Sequence, residues 1–171
     1  EITRILNSFF IVMLEIIFQY RGILLKYGGD AMMIYFSEEE SFCGNEHAYH
    51  AVSCAHEMRK AMSQFSVVKS DFGSFSLQMS MAVHTDTFFE AVVGNSAIHC
   101  EYFLTGTGVE ETAHLESKAG KGEILLNKNT YTIVKKHVTG FSLKDKDYRI
   151  EGFNSKEMPP VTKSPFSIDY D

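Results

Sequence analysis

A Gly-Gly-Asp turn between two short apolar runs is the feature that most constrains the fold of this chain. The runs cover residues 23–27 and 31–36, and Gly28, Gly29 and Asp30 separate them. Short apolar segments around a glycine-rich turn are typical of a β-hairpin. Asp30 would then lie at the exposed tip of the hairpin, where a carboxylate is well placed to bind a hard cation such as Mg²⁺. The alternative is that Asp30 serves only the geometry of the turn, in which aspartate is common.

The segments on either side of this hairpin have the spacing of amphipathic helices. Residues 2–18 and 47–65 carry apolar side chains at intervals of three and four, and Gly22 is placed to end the first helix. Downstream, the pattern predicts a helix over 109–118 and strands over 75–83, 88–93, 102–104 and 123–126. This order indicates an α+β fold, with helices on one face of an antiparallel-rich sheet.

Composition excludes several classes of protein. The net charge of -6 over 171 residues argues against a nucleic-acid binder, which usually has a basic face. The longest apolar stretch, residues 9–18, is too short to span a membrane. Three widely spaced cysteines predict a reducing, cytoplasmic compartment. We expect one domain over 1–154 and a polar tail over 155–171.

Several segments, taken in order, resemble the class III nucleotidyl cyclase catalytic domain, and most closely the soluble adenylyl cyclase type. Residues 26–36 resemble the hairpin of that family, with its Lys-x-x-Gly-Asp-Ala core. Further matching segments are 81–85, 92–95, 103–106, 109–116 and 122–126. The resemblance extends from Glu1 to about Tyr131. It implies a ferredoxin-like α+β fold (βαββαβ) whose first strand precedes residue 1 and is missing from this sequence.

The resemblance also implies an activity and two site residues. Family members convert a nucleoside triphosphate, ATP in the adenylyl cyclases, to a 3′,5′-cyclic monophosphate and pyrophosphate. The active site lies between two domains paired head to tail, and two aspartates hold two Mg²⁺ or Mn²⁺ ions. Asp30 falls on the second of these aspartates, and the first lies on the missing strand.

Lys26 falls on a lysine with two uses in the family. In one half of a pair it reads the purine, and in the metal-bearing half of soluble adenylyl cyclases it lies near a bicarbonate site. Here "metal-bearing half" means the domain that contributes the metal-binding aspartates. The alternative for Lys26 is a hairpin lysine that keeps its amine in water.

Two departures from the family pattern are Ser80, where a triphosphate-binding Arg or Lys is frequent, and Asp86, where Gly is usual. The others lie on and near the helix over 109–118. The positions of the transition-state Asn and Arg hold Glu110 and His114, and the purine-side polar position holds Phe103. Neither a carboxylate nor a neutral imidazole can take over the work of an Asn and Arg pair. The pair Glu110-Glu111 resembles the acidic pair found in the metal-bearing half.

Together these residues lead to two hypotheses. The first is the metal-bearing half of an adenylyl cyclase, which acts with a second cyclase domain and is inactive in isolation. The second is a catalytically degenerate domain that serves dimerisation or regulation. A Phe-x-Asp-Ile-like strand upstream of Glu1 would favour the enzyme.

Overall fold

The computed structural model describes residues 2–38, 45–70 and 73–155. They form two compact units. Unit 1 contains the chain up to Met79 together with the segment from Phe153, and unit 2 contains Ser80–Gly152. The tail predicted over 155–171 lies outside the described residues except for its first residue. The domain bounds of 1–154 therefore stay a prediction.

The described residues of unit 1 form two α-helices, a short 3₁₀ helix over Met62–Phe65 and two antiparallel strand pairs. Helix α1 packs against helix α2 and strand β1. Met13 and Ile17 of α1 are fully buried, as is Val52 of α2, so the apolar stripe read from the sequence forms the core of this unit. Its elements are α1 (Ile2–Gln19), β1 (Ile23–Gly28), β2 (Ala31–Tyr35), α2 (Glu46–Ala61), β3 (Val68–Ser70) and β4 (Gly73–Phe75).

Helix α1 ends in a Schellman motif. The N–H of Gly22 donates to the carbonyl of Ile17 at 2.8 Å, and the N–H of Arg21 donates to that of Phe18 at 3.0 Å. The left-handed position is occupied by Arg21, at φ 60°, and not by the glycine. Gly22 is instead required for space, because a Cβ there would lie 2.9 Å from the side chains of both Ile17 and Phe36.

Unit 2 contains a four-stranded sheet in the order β5-β8-β10-β9. Strands β5 and β8 are parallel, and the remaining pairs are antiparallel. All three residues of β8 are fully buried at the centre of this unit. Its elements are β5 (Met81–Val83), β6 (Phe89–Asn95), β7 (His99–Thr105), α3 (Thr107–Lys118), β8 (Ile124–Leu126), α4 (Lys128–Val134), β9 (Phe141–Lys144) and β10 (Asp147–Ile150). Strands β6 and β7 form a separate antiparallel hairpin.

The α+β class predicted from the sequence is confirmed, with differences in detail. The strand predicted over 75–83 is regular only at Met81–Val83, because β8 offers hydrogen-bonding partners only there. Residues 76–80 form no ladder, although the N–H of Leu77 donates to the carbonyl of Phe65. Helix α4 was not predicted. The described strands form one four-stranded sheet and three hairpins in place of the single sheet that was expected.

Candidate functional site

The β1–β2 hairpin presents the two residues that the sequence singled out. Gly28 pairs with Ala31, so Gly29 and Asp30 form a two-residue turn, and Gly29 has the positive φ of 69° that such turns require. Asp30 is exposed at the tip, and Lys26 is exposed on β1 next to an irregularity in the strand register. The predicted hairpin is confirmed, and it carries both side chains on one rigid element.

The surroundings of Asp30 fit a hydrated divalent cation. A Cβ added at Gly28 or at Gly29 would meet nothing within 4 Å, so the turn is open to approach. Within the described ranges, no lysine or arginine forms an ion pair with the Asp30 carboxylate. Mg²⁺ is commonly held by one or two carboxylates together with substrate phosphates and water. One exposed carboxylate is thus a suitable part of such a site, though not a complete one.

Helix α3 carries the residues that depart from the family pattern. Glu110 and His114 are four apart on this helix and therefore share one face, and both are exposed. Phe103 is exposed on β7. Lys26 and Asp30 belong to unit 1, whereas these three residues belong to unit 2.

A second group of metal-ligating side chains was missed by the sequence reasoning. His84, Asp86 and Glu111 each offer one ligand atom, and these atoms all lie within 4.8 Å of one another. The His84 Nε2 atom is 3.4 Å from Asp86 Oδ2 and 3.5 Å from Glu111 Oε2. From the sequence, Glu111 is expected only as part of an acidic pair with Glu110. Because 24 residues lie between Asp86 and Glu111 in the sequence, only the fold brings the two side chains together.

In the part of the chain that the structure describes, no helix is both long and apolar enough to cross a membrane.

Three solved structures of nucleotide cyclases share the fold of this chain. The adenylyl cyclase CyaB from P. aeruginosa is 25% identical, covers 88% of this chain and 82% of its own, and has a TM-score of 0.71. The guanylyl cyclase Cya2 is 21% identical, with coverage of 94% and 85% and a TM-score of 0.71. The guanylate cyclase domain of RhGC from Catenaria anguillulae, solved in complex with GTP, is 17% identical, with coverage of 87% and 82% and a TM-score of 0.71. The last two matches show the fold alone.

No curated protein sequence matches the chain. The family model of the adenylate and guanylate cyclase catalytic domain, in contrast, matches residues 1–160. That match covers nearly the whole chain and includes the hairpin of Asp30 as well as helix α3. The chain therefore belongs to the class III adenylate and guanylate cyclase catalytic domain family.

Proposed function

We propose that this chain is the metal-bearing half of an adenylyl cyclase, which converts ATP to 3′,5′-cyclic AMP and pyrophosphate together with a second cyclase domain. The observation that carries the proposal is the exposed Asp30 carboxylate on a two-residue turn with open space around it. An exposed carboxylate on a short turn is compatible with cation binding, and the match to the cyclase family favours a metal role for Asp30 over a purely local one.

The chemistry assigned to each residue is simple. Two bound Mg²⁺ or Mn²⁺ ions would activate the ribose 3′-oxygen and neutralise phosphate charge. Asp30 would contribute an anionic oxygen to one of these ions. Lys26, exposed on the same hairpin, would offer its ammonium either to the nucleotide or, as the resemblance suggests, to bicarbonate. Such a half-site would lower the activation barrier of cyclisation by positioning the nucleotide and by stabilising its negative charge. It would form no covalent bond with the substrate.

The partner domain is proposed from two observations in unit 2. First, Glu110 would repel the negative charge that develops on the nucleotide, and exposed His114 is a poor substitute for an arginine clamp. A second domain would therefore supply the Asn and Arg. Second, the β6–β7 hairpin exposes large apolar side chains on both of its faces, including Phe89 and Val92. Contiguous exposed apolar surface usually marks a binding surface.

The second candidate function is a degenerate cyclase domain that acts by dimerisation or regulation. The same apolar hairpin favours it, because binding a partner through this surface requires no chemistry. Only this candidate predicts that replacing Asp30 has no effect on any cyclase activity of the assembly.

The experiment is a cyclase assay of the natural gene product with Mn²⁺ and either ATP or GTP, comparing Asp30→Asn with wild type. Loss of one anionic oxygen from a hard-cation site should lower turnover by about a hundredfold or more. The free energy of unfolding should change by about 0.5 kcal/mol or less, since the side chain is exposed and asparagine suits turns.

Asp145→Asn is the matched control. Asp145 also lies in a two-residue hairpin turn, between Lys144 and Asp147, where its φ is 59°. It should leave turnover unchanged. If Asp30→Asn kept its activity, the metal role would be wrong and Asp30 would serve only the geometry of the turn. A wild-type gene product that stays inactive toward both nucleotides even with a second cyclase domain that supplies the Asn and Arg would favour the degenerate domain.

The cytoplasmic location expected from the sequence stays part of the proposal. Cys54 and Cys100 are free thiols, and burial raises the pKa of the Cys54 thiol to about 12. Free thiols are typical of reducing compartments.

A further inference from the structure

We propose that His84, Asp86 and Glu111 form a Zn²⁺ site that connects the end of strand β5 to helix α3. The three ligand atoms lie within 4.8 Å of one another. All three residues belong to unit 2, so the site is complete without Asp30 and is independent of the proposed catalytic function.

The two separations from His84 Nε2 agree with those between neighbouring ligand atoms of one metal ion. In tetrahedral Zn²⁺ sites with bonds of about 2.1 Å, neighbouring ligand atoms lie about 3.4 Å apart. The measured separations from His84 Nε2 are 3.4 Å to Asp86 and 3.5 Å to Glu111. A charge-assisted hydrogen bond would be about 2.7–2.9 Å long, and one Nε2–H can donate well to only one of the two carboxylates.

The burial gradient suits a partly open metal site. The His84 side chain is only 4% exposed, whereas those of Asp86 and Glu111 are 40% and 58% exposed. The buried imidazole would thus bind the ion from the protein interior, and the two carboxylates would bind it from the solvent side. One imidazole and two carboxylates suit Zn²⁺, and three protein ligands leave a fourth position for water.

The irregular segment that carries two of the ligands is fixed by hydrogen bonds. Residues 84–88 have no regular secondary structure. However, the backbone N–H of Thr85 donates to Asn127 Oδ1 at 3.3 Å, and Asn127 Nδ2 donates back to the Thr85 carbonyl at 3.3 Å. The hydroxyl of Thr85 also lies 2.8 Å from that of the buried Thr130. These contacts hold His84 and Asp86 in place on either side of Thr85.

The third ligand is held against the same segment by packing. Helix α3 packs on β5, and a Cβ at Gly108 would lie 2.8 Å from the ring of Phe88. The absence of a side chain at Gly108 therefore lets the first turn of α3 approach residue 88 closely. Glu111 follows Gly108 by one helical turn. The backbone that carries the three ligands is thus held in place on both sides of the cluster.

The test uses the 171-residue chain without an affinity tag, freed of metal by dialysis against a chelator. Zn²⁺ binding is measured by competition with a chromophoric chelator, and Co²⁺ absorption reports the ligand geometry. We expect one Zn²⁺ per chain and the intense Co²⁺ bands of a tetrahedral site. Glu111→Gln and His84→Gln should each weaken Zn²⁺ binding at least about tenfold.

Matched controls lie on the same helix. Glu110→Gln and His114→Gln replace exposed residues of the same types and should bind Zn²⁺ as wild type does. If His84→Gln fails to fold, the exposed Glu111→Gln and Asp86→Asn still decide the matter, with circular dichroism as the check on folding. Absence of Zn²⁺ binding, or binding that Glu111→Gln leaves unchanged, would overturn the proposal.

Asp30→Asn separates this site from the proposed catalytic one. It should leave Zn²⁺ affinity unchanged. Zn²⁺ binding that is lost in Asp30→Asn and kept in Glu111→Gln would assign the ion to the hairpin and overturn the α3 site. Failure of the Zn²⁺ site would in turn leave the cyclase proposal intact, since that proposal is decided by turnover.

Discussion

Neighbouring side chains leave no room for a methyl group at Gly22, so a substitution by alanine should be destabilising. A Cβ would lie 2.9 Å from the side chains of Ile17 and Phe36, so they would have to move. We expect Gly22→Ala to lower the free energy of unfolding by about 1–3 kcal/mol, the usual cost of overpacking. Gly28→Ala is the control, because nothing lies within 4 Å of its Cβ. Urea unfolding that ranks the two variants equally would contradict this account.

Glu123 gives the second prediction at the scale of residues. Its carboxylate accepts hydrogen bonds from Lys144 at 2.9 Å, from the N–H of Gly120 at 2.8 Å and from Arg149 at 3.0 Å. The hydrogen bond from Lys144, followed by those from Gly120 and Arg149, lowers the pKa of Glu123 to about 2. A lowered pKa in the folded state stabilises the fold above the unfolded pKa, about 4.3, and this contribution is lost as pH falls toward 2.

Glu123→Gln should therefore destabilise the chain at pH 7 by about 1 kcal/mol or less, as expected for ion pairs that are partly exposed. The difference in thermal midpoint between variant and wild type should shrink as the pH is lowered from about 4.5 to about 2. Glu101→Gln, exposed on β7, is the control and should show no such pH dependence. A difference that is constant with pH would assign the effect to packing.

At the scale of elements, the β6–β7 hairpin is a candidate binding surface because it exposes several large apolar side chains. Val92 is 67% exposed on this hairpin, and Val67 of unit 1 is 65% exposed, which makes the two valines a matched pair. We expect Val92→Glu to weaken self-association or binding of a second cyclase domain at least about tenfold, since it places a charge in an apolar interface. Val67→Glu should leave association unchanged. Sedimentation velocity over a range of concentrations measures both, and equal behaviour would exclude the hairpin as the interface.

The sequence correctly predicts those elements in which the spacing of the apolar or glycine residues by itself indicates the structure. Helix α1 has a continuous apolar stripe, and the β1–β2 turn is set by its glycines. Helix α4 has only seven residues, of which only Thr130 and Val134 are buried, so no stripe could reveal it. It is defined instead by a cap, in which Asn127 Oδ1 accepts from the N–H of Thr130 at 2.9 Å. The opposite error occurs over residues 76–80, where alternating apolar residues predict a strand that does not form. A strand also needs a neighbouring strand with which to form hydrogen bonds.

At the scale of the whole molecule, one candidate site follows from a local sequence pattern, and the other depends on contacts between distant parts of the chain. Asp30 is proposed from the turn of one hairpin, and Lys26 from the resemblance of residues 26–36 to the family hairpin. The cluster of His84, Asp86 and Glu111 depends on the packing of α3 against the segment after β5, which no local pattern contains. Long-range contacts of this kind require the folded structure.

The last prediction concerns the chain as a catalyst. The purified 171-residue chain should produce no cyclic AMP from ATP and Mn²⁺, whether monomeric or dimeric. In a symmetric dimer both copies would place Glu110 and His114 where the Asn and Arg are needed. Removing one such charge-stabilising group typically costs a factor of about 10²–10³ in turnover.

A partner domain should restore activity. The suitable partner is a cyclase domain that retains its Asn and Arg but has its own metal aspartates replaced, so that it is inactive alone. Mixed with the natural gene product of this chain, it should yield cyclic AMP, and Asp30→Asn should abolish that gain. Because each protein lacks what the other supplies, activity can arise only at a site shared between them. Cyclic AMP made by the homogeneous 171-residue chain would show that Glu110 and His114 do not disable it, and would refute the assignment to one half of a site.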